Sequence, residues 1–227
     1  MQLYGKIIED GDKIMANAPY IVISDISMVE TTVNKSRFVA VAFPVQNMDQ
    51  VKECLASLKK SNKGAAHIPY AYLLGENFDT ARNSDDGEPS GSAGAPIYQA
   101  IKERNLTNVL VAVVRFFGGV ELGKARLSRV FYSAASNALM NAKKSKMVYC
   151  GIFEMIVSYS DYAALGKVLT EKGFPIIEKN YNESLPMIKC AIPADTAERV
   201  IGDIRSKMKD SAKITKIANE YYRFAHV

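Results

Sequence analysis

Nine consecutive positions, Asn108–Phe116, hold one charged residue, and six of them read Val-Leu-Val-Ala-Val-Val. A strand without polar alternation has both faces buried, so it needs a layer of structure on each side. The pattern of Leu122–Ala142, directly downstream, is that of a long helix, and Ala134, Ala135 and Ala138 on it allow close packing. Upstream, Tyr20–Met28, Phe38–Val45 and Ile68–Leu74 read as strands. Asp49–Lys60 has helical spacing at Val51, Leu55 and Leu58, and Pro96–Arg104 reads as a short helix after a Gly/Ser-rich loop. Neither Val109–Val114 nor Gly151–Val157 approaches the ~20 apolar residues of a bilayer span. No membrane association and no signal peptide are expected.

A boundary is expected near Lys143–Tyr149. Lys143, Lys144 and Lys146 suit the negative end of a helix dipole, and a new apolar run begins at Val148. Beyond it, Gly151–Ser158 reads as a strand and Asp161–Lys172 as a helix capped by Asp161 and ended by Gly173. Phe174–Asn180 and Pro186–Ile192 read as strands around an Asn-Glu-Ser turn. Asp195 is placed to cap a helix over Thr196–Met208, and Lys213–Tyr221 forms the last strand. The order β-α-β-β-α-β is that of a ferredoxin-like sandwich. The expected fold is α+β in two domains, residues 1–145 and 146–227.

Composition excludes little else. The 227 residues are 48% hydrophobic and 23% charged, which is ordinary globular usage and excludes disorder as the main state. The net charge of +5 permits an anionic partner without demanding one. Cys54, Cys150 and Cys190 include no C-x-x-C pair, so a reducing cytoplasm with structural thiols is expected. His67 and His226 are the only histidines, too few for a His-rich metal site, and no metal or cofactor is expected.

Two glycine-rich loops stand out. The first is Ser84-Asp85-Asp86-Gly87-Glu88-Pro89-Ser90-Gly91-Ser92-Ala93-Gly94. Turn chemistry accounts for much of it. A functional reading has its three carboxylates hold a hard cation, or its Ser/Gly amides cradle an anion at the start of a helix. Those two uses want opposite charges. The second loop, Gly118-Gly119-Val120-Glu121-Leu122-Gly123-Lys124, has P-loop spacing but continues with Ala125 where a P-loop has the magnesium-binding hydroxyl. A turn that lets strand and helix pack closely is the simpler meaning. Arg115, Lys124, Arg126 and Arg129 flank it. They can bind phosphates, or pair internally with Asp85, Asp86 and Glu88. A lone His67 reads as structural, and Tyr70, Tyr72, Phe116 and Phe117 as packing or as stacking platforms.

Together these stretches resemble the YigZ/Impact family. The resemblance rests on Asp85–Gly94, on Arg115–Gly119 followed by Leu122-Gly123, on Lys35-Ser36-Arg37-Phe38 and on Ala65–His67, in the family's order over roughly residues 30–140. The chain departs from the pattern at Ala95, where the family has a basic residue. It departs again at Gly123-Lys124-Ala125-Arg126-Leu127, where the family has Gly-Thr-Gly-Gly-Leu; Arg129 keeps the family's arginine. The resemblance implies an N-terminal βαβ domain similar to domain IV of elongation factor G, and a ferredoxin-like second domain as in bacterial members. Eukaryotic relatives regulate translation by binding the activator of a starvation-sensing kinase.

The leading functional expectation is a non-enzymatic binding or regulatory protein. Its partner is RNA, a ribosome-associated component, or a protein in translational control. Arg115, Lys124, Arg126, Arg129 and His67 are the candidate contact residues. Asp85, Asp86, Gly87, Glu88, Pro89, Ser90, Gly91, Ser92, Gly94, Gly118, Gly119 and Gly123 form the motif loops. The alternative is a metal-assisted small-molecule hydrolase built on Asp85, Asp86 and Glu88. In either case the acidic and basic clusters are expected to meet in space.

Overall fold

A computed structural model describes residues 17–181, 185–208 and 211–225. They divide into two compact units, one of Tyr20–Ser145 and one of Lys146–Ala225 that also takes in residues 17–19. The fold is mixed α and β throughout.

In the N-terminal unit, strands β1 (Tyr20–Ile23), β2 (Ser27–Val33), β3 (Ser36–Pro44), β4 (Tyr70–Leu74), β5 (Thr80–Ser84) and β6 (Val109–Phe116) alternate with helices α1 (Met48–Ser61), α2 (Gly94–Lys102) and α3 (Lys124–Asn141). Five strands form one sheet in the order β2-β3-β6-β4-β5. The apolar run is its centre: β6 pairs antiparallel with β3, Val39 opposite Val114, and with β4, Ala71 opposite Val111. Alternate β6 side chains serve opposite faces. Val109, Val111 and Val113 join Phe38, Ile97, Ile101, Phe131 and Leu139 in the main core. Leu110 joins Val45, Val51, Tyr72 and Leu74 in a second core that includes the apolar side of α1. The unbroken apolar sequence therefore reflects two covered faces, even though both neighbours are antiparallel.

Local chemistry explains the element ends. Asn47 caps α1 by accepting from the amides of Asp49 and Gln50. The β2–β3 hairpin turns on Asn34 and Lys35, both at positive φ (46° and 64°), as a tight two-residue turn requires. The expected single strand Tyr20–Met28 is two, β1 and β2, with a break at Ser24–Ile26. β5 was not legible in the sequence. Its Thr-Ala-Arg-Asn-Ser is an exposed edge without apolar residues beyond one alanine.

The C-terminal unit holds β7 (Lys144–Ile156, starting just before the division), α4 (Tyr159–Glu171), β8 (Ile176–Tyr181), β9 (Pro186–Pro193), α5 (Ala197–Lys207) and β10 (Lys213–Ala225). β7–β9 and β9–β8 pair antiparallel, and β10 pairs with β7. Phe153, Met155, Ile188 and Cys190 pack against Leu165, Leu169, Val200 and Ile204 of the two helices. Burial pushes the Cys190 thiol up to about 12 and that of Cys150 up to about 11, so both are inert packing groups.

Both expected caps here need correction. Ser158, not Asp161, caps α4 by accepting from the Asp161 amide, and Asp161 lies in the first turn. Thr196, not Asp195, is the residue before α5, and its side chain makes no capping bond. Gly173 does follow α4 with φ 71°. The Asn182–Ser184 turn and His226 lie outside the described residues.

Candidate functional site

The first glycine-rich loop bonds its acidic groups to donors of its own chain. Asp85 Oδ2 accepts from the Gly91 amide at 2.8 Å, and Oδ1 accepts from Ala93 and Gly94 at 2.9 Å each. The anion cradle expected at the start of α2 therefore exists, and the protein's own carboxylate fills it. Burial pushes the Asp85 carboxyl up, but the three amides and nearby Lys124 outweigh that and hold it below its ordinary value. Asp86 Oδ2 accepts from the Ile68 amide at 2.8 Å, and its backbone carbonyl accepts from His67 Nδ1 at 2.7 Å. That bond puts the proton of a neutral His67 on Nδ1. Gly87 has φ 91°, and a Cβ there would lie 2.7 Å from the His67 ring. The turn is thus glycine for two independent reasons.

Glu88 completes the loop. Its Oε2 accepts from Arg115 Nη1 at 2.5 Å, with the Glu88 and Arg115 side chains 1% and 9% exposed. Arg115 stands near the end of β6. Its guanidinium carbon lies 5.5 Å from the ring centroids of both Phe38 and Phe117. Its backbone amide donates to the His67 carbonyl, and its own carbonyl accepts from Ala66. The acidic loop and Arg115 therefore meet, as expected from sequence, and the His67 segment joins them, which was not expected. Glu88 Oε1, Arg115 Nε and Ser92 Oγ are buried without a partner among the described residues. With Asp85, Asp86 and Glu88 each engaged, the three carboxylates are not gathered around a common point. No group of three or more metal-ligating side chains occurs among the described residues.

The second loop behaves otherwise. A Cβ on Gly118 would lie 2.1 Å from the Lys35 carbonyl carbon, so this glycine admits the backbone of the β2–β3 turn. The expected role in packing strand against helix is thereby corrected. The Gly118 amide donates to Ser36 Oγ at 3.1 Å, which ties Lys35-Ser36 to the same place. Gly119 and Gly123 have φ of 82° and 72°. Gly123 precedes α3, so no side chain caps that helix, and its first turn carries no acid. Lys124, Arg126 and Arg129 are exposed and form no ion pair among the described residues. Arg129 is thus not brought to Asp85 or Glu88 in any recorded bond, and Arg115 alone of the arginines meets the acidic loop.

Between the two loops lies a cleft of about 510 Å³, lined by His67, Glu88, Arg115, Phe117, Gly123 and Lys124 among others. Pro89 and Gly87 lie on its wall; Ser90, Gly91, Ser92 and Gly94 belong to the loop behind. A profile of the Impact N-terminal domain matches residues 34–139, which lie within the unit holding this cleft. The IMPACT family member YvyE of Bacillus subtilis is 31% identical over 169 residues, covering 73% of this chain and 76% of its own.

The chain belongs to the IMPACT family.

The Escherichia coli IMPACT family member YigZ is 24% identical over 71% of this chain and 80% of its own. Rat protein IMPACT is 33% identical over 102 residues, which are 44% of this chain and 32% of that protein. A solved structure described as a crystal structure of a hypothetical protein aligns with TM-score 0.58 at 20% identity, over 89% of this chain and 98% of its own. The likeness extends in fold beyond the IMPACT N-terminal match. Both departures from the family pattern fall at helix starts: Ala95 in the first turn of α2, and Lys124-Ala125-Arg126 in the first turn of α3. No described helix is long and apolar enough to cross a membrane.

Proposed function

We propose that this IMPACT family protein is a non-enzymatic binding and regulatory protein of the cytoplasm, acting on RNA or on the translation apparatus. One observation carries the reading: the acids of the first loop, Asp85, Asp86 and Glu88, are bonded inside the chain, while the three cations at the start of α3 are exposed beside a single exposed acid, Glu121. Asp85 fills the amides at α2 and Glu88 neutralises Arg115. Lys124, Arg126 and Arg129 remain exposed around an uncapped helix start. That combination suits an anionic partner such as an RNA backbone. It leaves the hydrolase reading without a shared carboxylate site.

The domain reading supports the same direction by analogy alone. We take residues 1–145 as an Impact-type domain similar to domain IV of elongation factor G. Residues 146–227 read as a ferredoxin-like domain. The strand order β10-β7-β9-β8, the fourth, first, third and second of its unit, suits that assignment. Three thiols without disulfides suit a reducing compartment.

Retention of RNA on a filter, measured from low to moderate salt, tests the proposal. Binding is expected to weaken steeply with salt, because phosphate contacts release counterions. Charge reversal at Lys124, Arg126 and Arg129 is expected to abolish retention. No retention at any salt would leave a protein partner as the remaining form of the reading. Capture of that partner from lysate by wild type, but not by the reversed variant, would then be required.

A further inference from the structure

Four aromatic residues near the motif were candidates for stacking, and the fold separates them. Tyr72 is buried, Tyr70 is half-buried and stacked on Tyr72 at 6.5 Å, and Phe116 lies under the Arg37 guanidinium at 4.1 Å. Phe117 alone of the four is exposed, at 53%, and it lines the cleft. Arg115 backs the ring at 5.5 Å, so the guanidinium and the aromatic form a short platform. The same cleft is lined by Gly123 and Lys124, at the uncapped start of α3. Its wall also holds Arg115, nine-tenths buried with Nε unpartnered among the described residues, beside the unpartnered Glu88 Oε1. A cleft of about 510 Å³ lies within the range of small-ligand sites.

We infer that this cleft takes one unpaired nucleotide of a single strand, its base stacked on Phe117 and its phosphate held by Lys124 and the first amides of α3. RNA is the source we assign. The inference rests on the binding function proposed above and narrows it, because a base that stacks on a side chain must be outside a duplex. An acidic protein segment would use Lys124 and the helix start equally well, but it would leave the exposed Phe117 ring without a partner.

Fluorescence anisotropy of the full chain with labelled oligouridine RNA of about 12 nucleotides, within the site sizes of single-strand binders, tests this. A deoxyuridine strand and an RNA duplex of the same length are the other arms. The RNA strand is expected to bind about tenfold more tightly than the duplex, and Phe117→Ala to cost about tenfold with the salt dependence unchanged. Lys124→Glu is expected to weaken binding and flatten the salt dependence. The chain has no tryptophan, so Phe117→Trp installs a single indole, whose emission the RNA is expected to quench. Phe117 is largely exposed, and an unchanged melting temperature in both variants shows that the fold is intact. If RNA still binds but Phe117→Ala costs nothing and Phe117→Trp is not quenched, the nucleotide site is overturned while the broader function stands. Deoxyuridine binding as tight as RNA overturns the choice of RNA. No strand bound at low salt overturns the nucleotide site together with the RNA form of the proposed function, and only its protein-partner form is then left.

Discussion

The two glycine-rich loops of the N-terminal unit each lead into a helix, yet they handle charge in opposite ways. The Ser84–Gly94 loop supplies its own anion to the amides at α2, and it buries a second carboxylate against Arg115. The Gly118–Gly123 loop leaves the start of α3 uncapped, and the exposed cations Lys124, Arg126 and Arg129 of that helix outnumber the loop's one exposed acid, Glu121. A helix start attracts negative charge wherever it lies. Where the chain provides that charge, the result is a brace; where it does not, the helix amides keep no side-chain acceptor. The comparison separates the part of the motif that bonds within the domain from the part that stays exposed.

The sharpest way to break that division is Glu88→Ala. It strands the Arg115 guanidinium in a buried site, and a loss of about 3–5 kcal/mol in unfolding free energy is expected by urea titration. Replacing both members, as Glu88→Ala with Arg115→Met, is expected to recover part of it. A loss below about 1 kcal/mol for the single change would show that the pair is not part of a brace.

Gly118→Ala comes next, at about 1–3 kcal/mol, because its methyl would collide with the Lys35 backbone. Gly119→Ala meets no neighbour within 4 Å and is strained only by its φ of 82°, so about 1 kcal/mol is expected. Equal effects at the two positions would remove the argument for close approach.

Asp85→Asn is expected to cost about 2 kcal/mol near neutral pH, since an amide oxygen accepts from the three N–H groups more weakly than a carboxylate. The pH dependence has a defined sign. The folded Asp85 carboxyl titrates below its ordinary value of 3.8, so its stabilisation is fully present above that value and is lost as pH falls through the lower folded one. Wild-type stability should therefore fall more steeply in acid than that of Asp85→Asn. Parallel acid profiles would contradict the role given to the Asp85 carboxylate at the α2 amides.

The smallest stability effects belong to the second loop. Lys124→Gln and Arg126→Gln should change unfolding free energy by no more than about 0.5 kcal/mol. In RNA binding each should lower the salt slope by roughly 0.7. A marked loss of stability would mean that these cations already have work inside the fold.

Much of the architecture was legible in the sequence because burial writes a period into it. The β6 run, the α3 alanines and the spacing of α1 each report which faces are covered. β5 was not legible, since an exposed edge strand carries no apolar signature. The caps of α4 and α5 were misread because Ser158 and Asp161, like Asp195 and Thr196, are all plausible capping residues within a turn of each other. At the site, the meeting of the acidic loop with Arg115 was foreseen, but the inclusion of Arg129 finds no support in the recorded bonds. The His67–Asp86 bond had no sequence signal, because it joins residues 19 positions apart through a backbone carbonyl that every residue has.

Sequence alone determined the layered sheet, the α+β character and the residues of the motif, because periodicity and turn chemistry are local properties. Only the tertiary structure decided which charges are bonded within the chain and which stay exposed. Whether a carboxylate meets an amide, an arginine or water depends on how far it is buried and on what lies opposite. Asp85, Glu88 and Glu121 carry the same charge on paper, and the packing of β6 and α2 sets the first two against partners and leaves the third exposed.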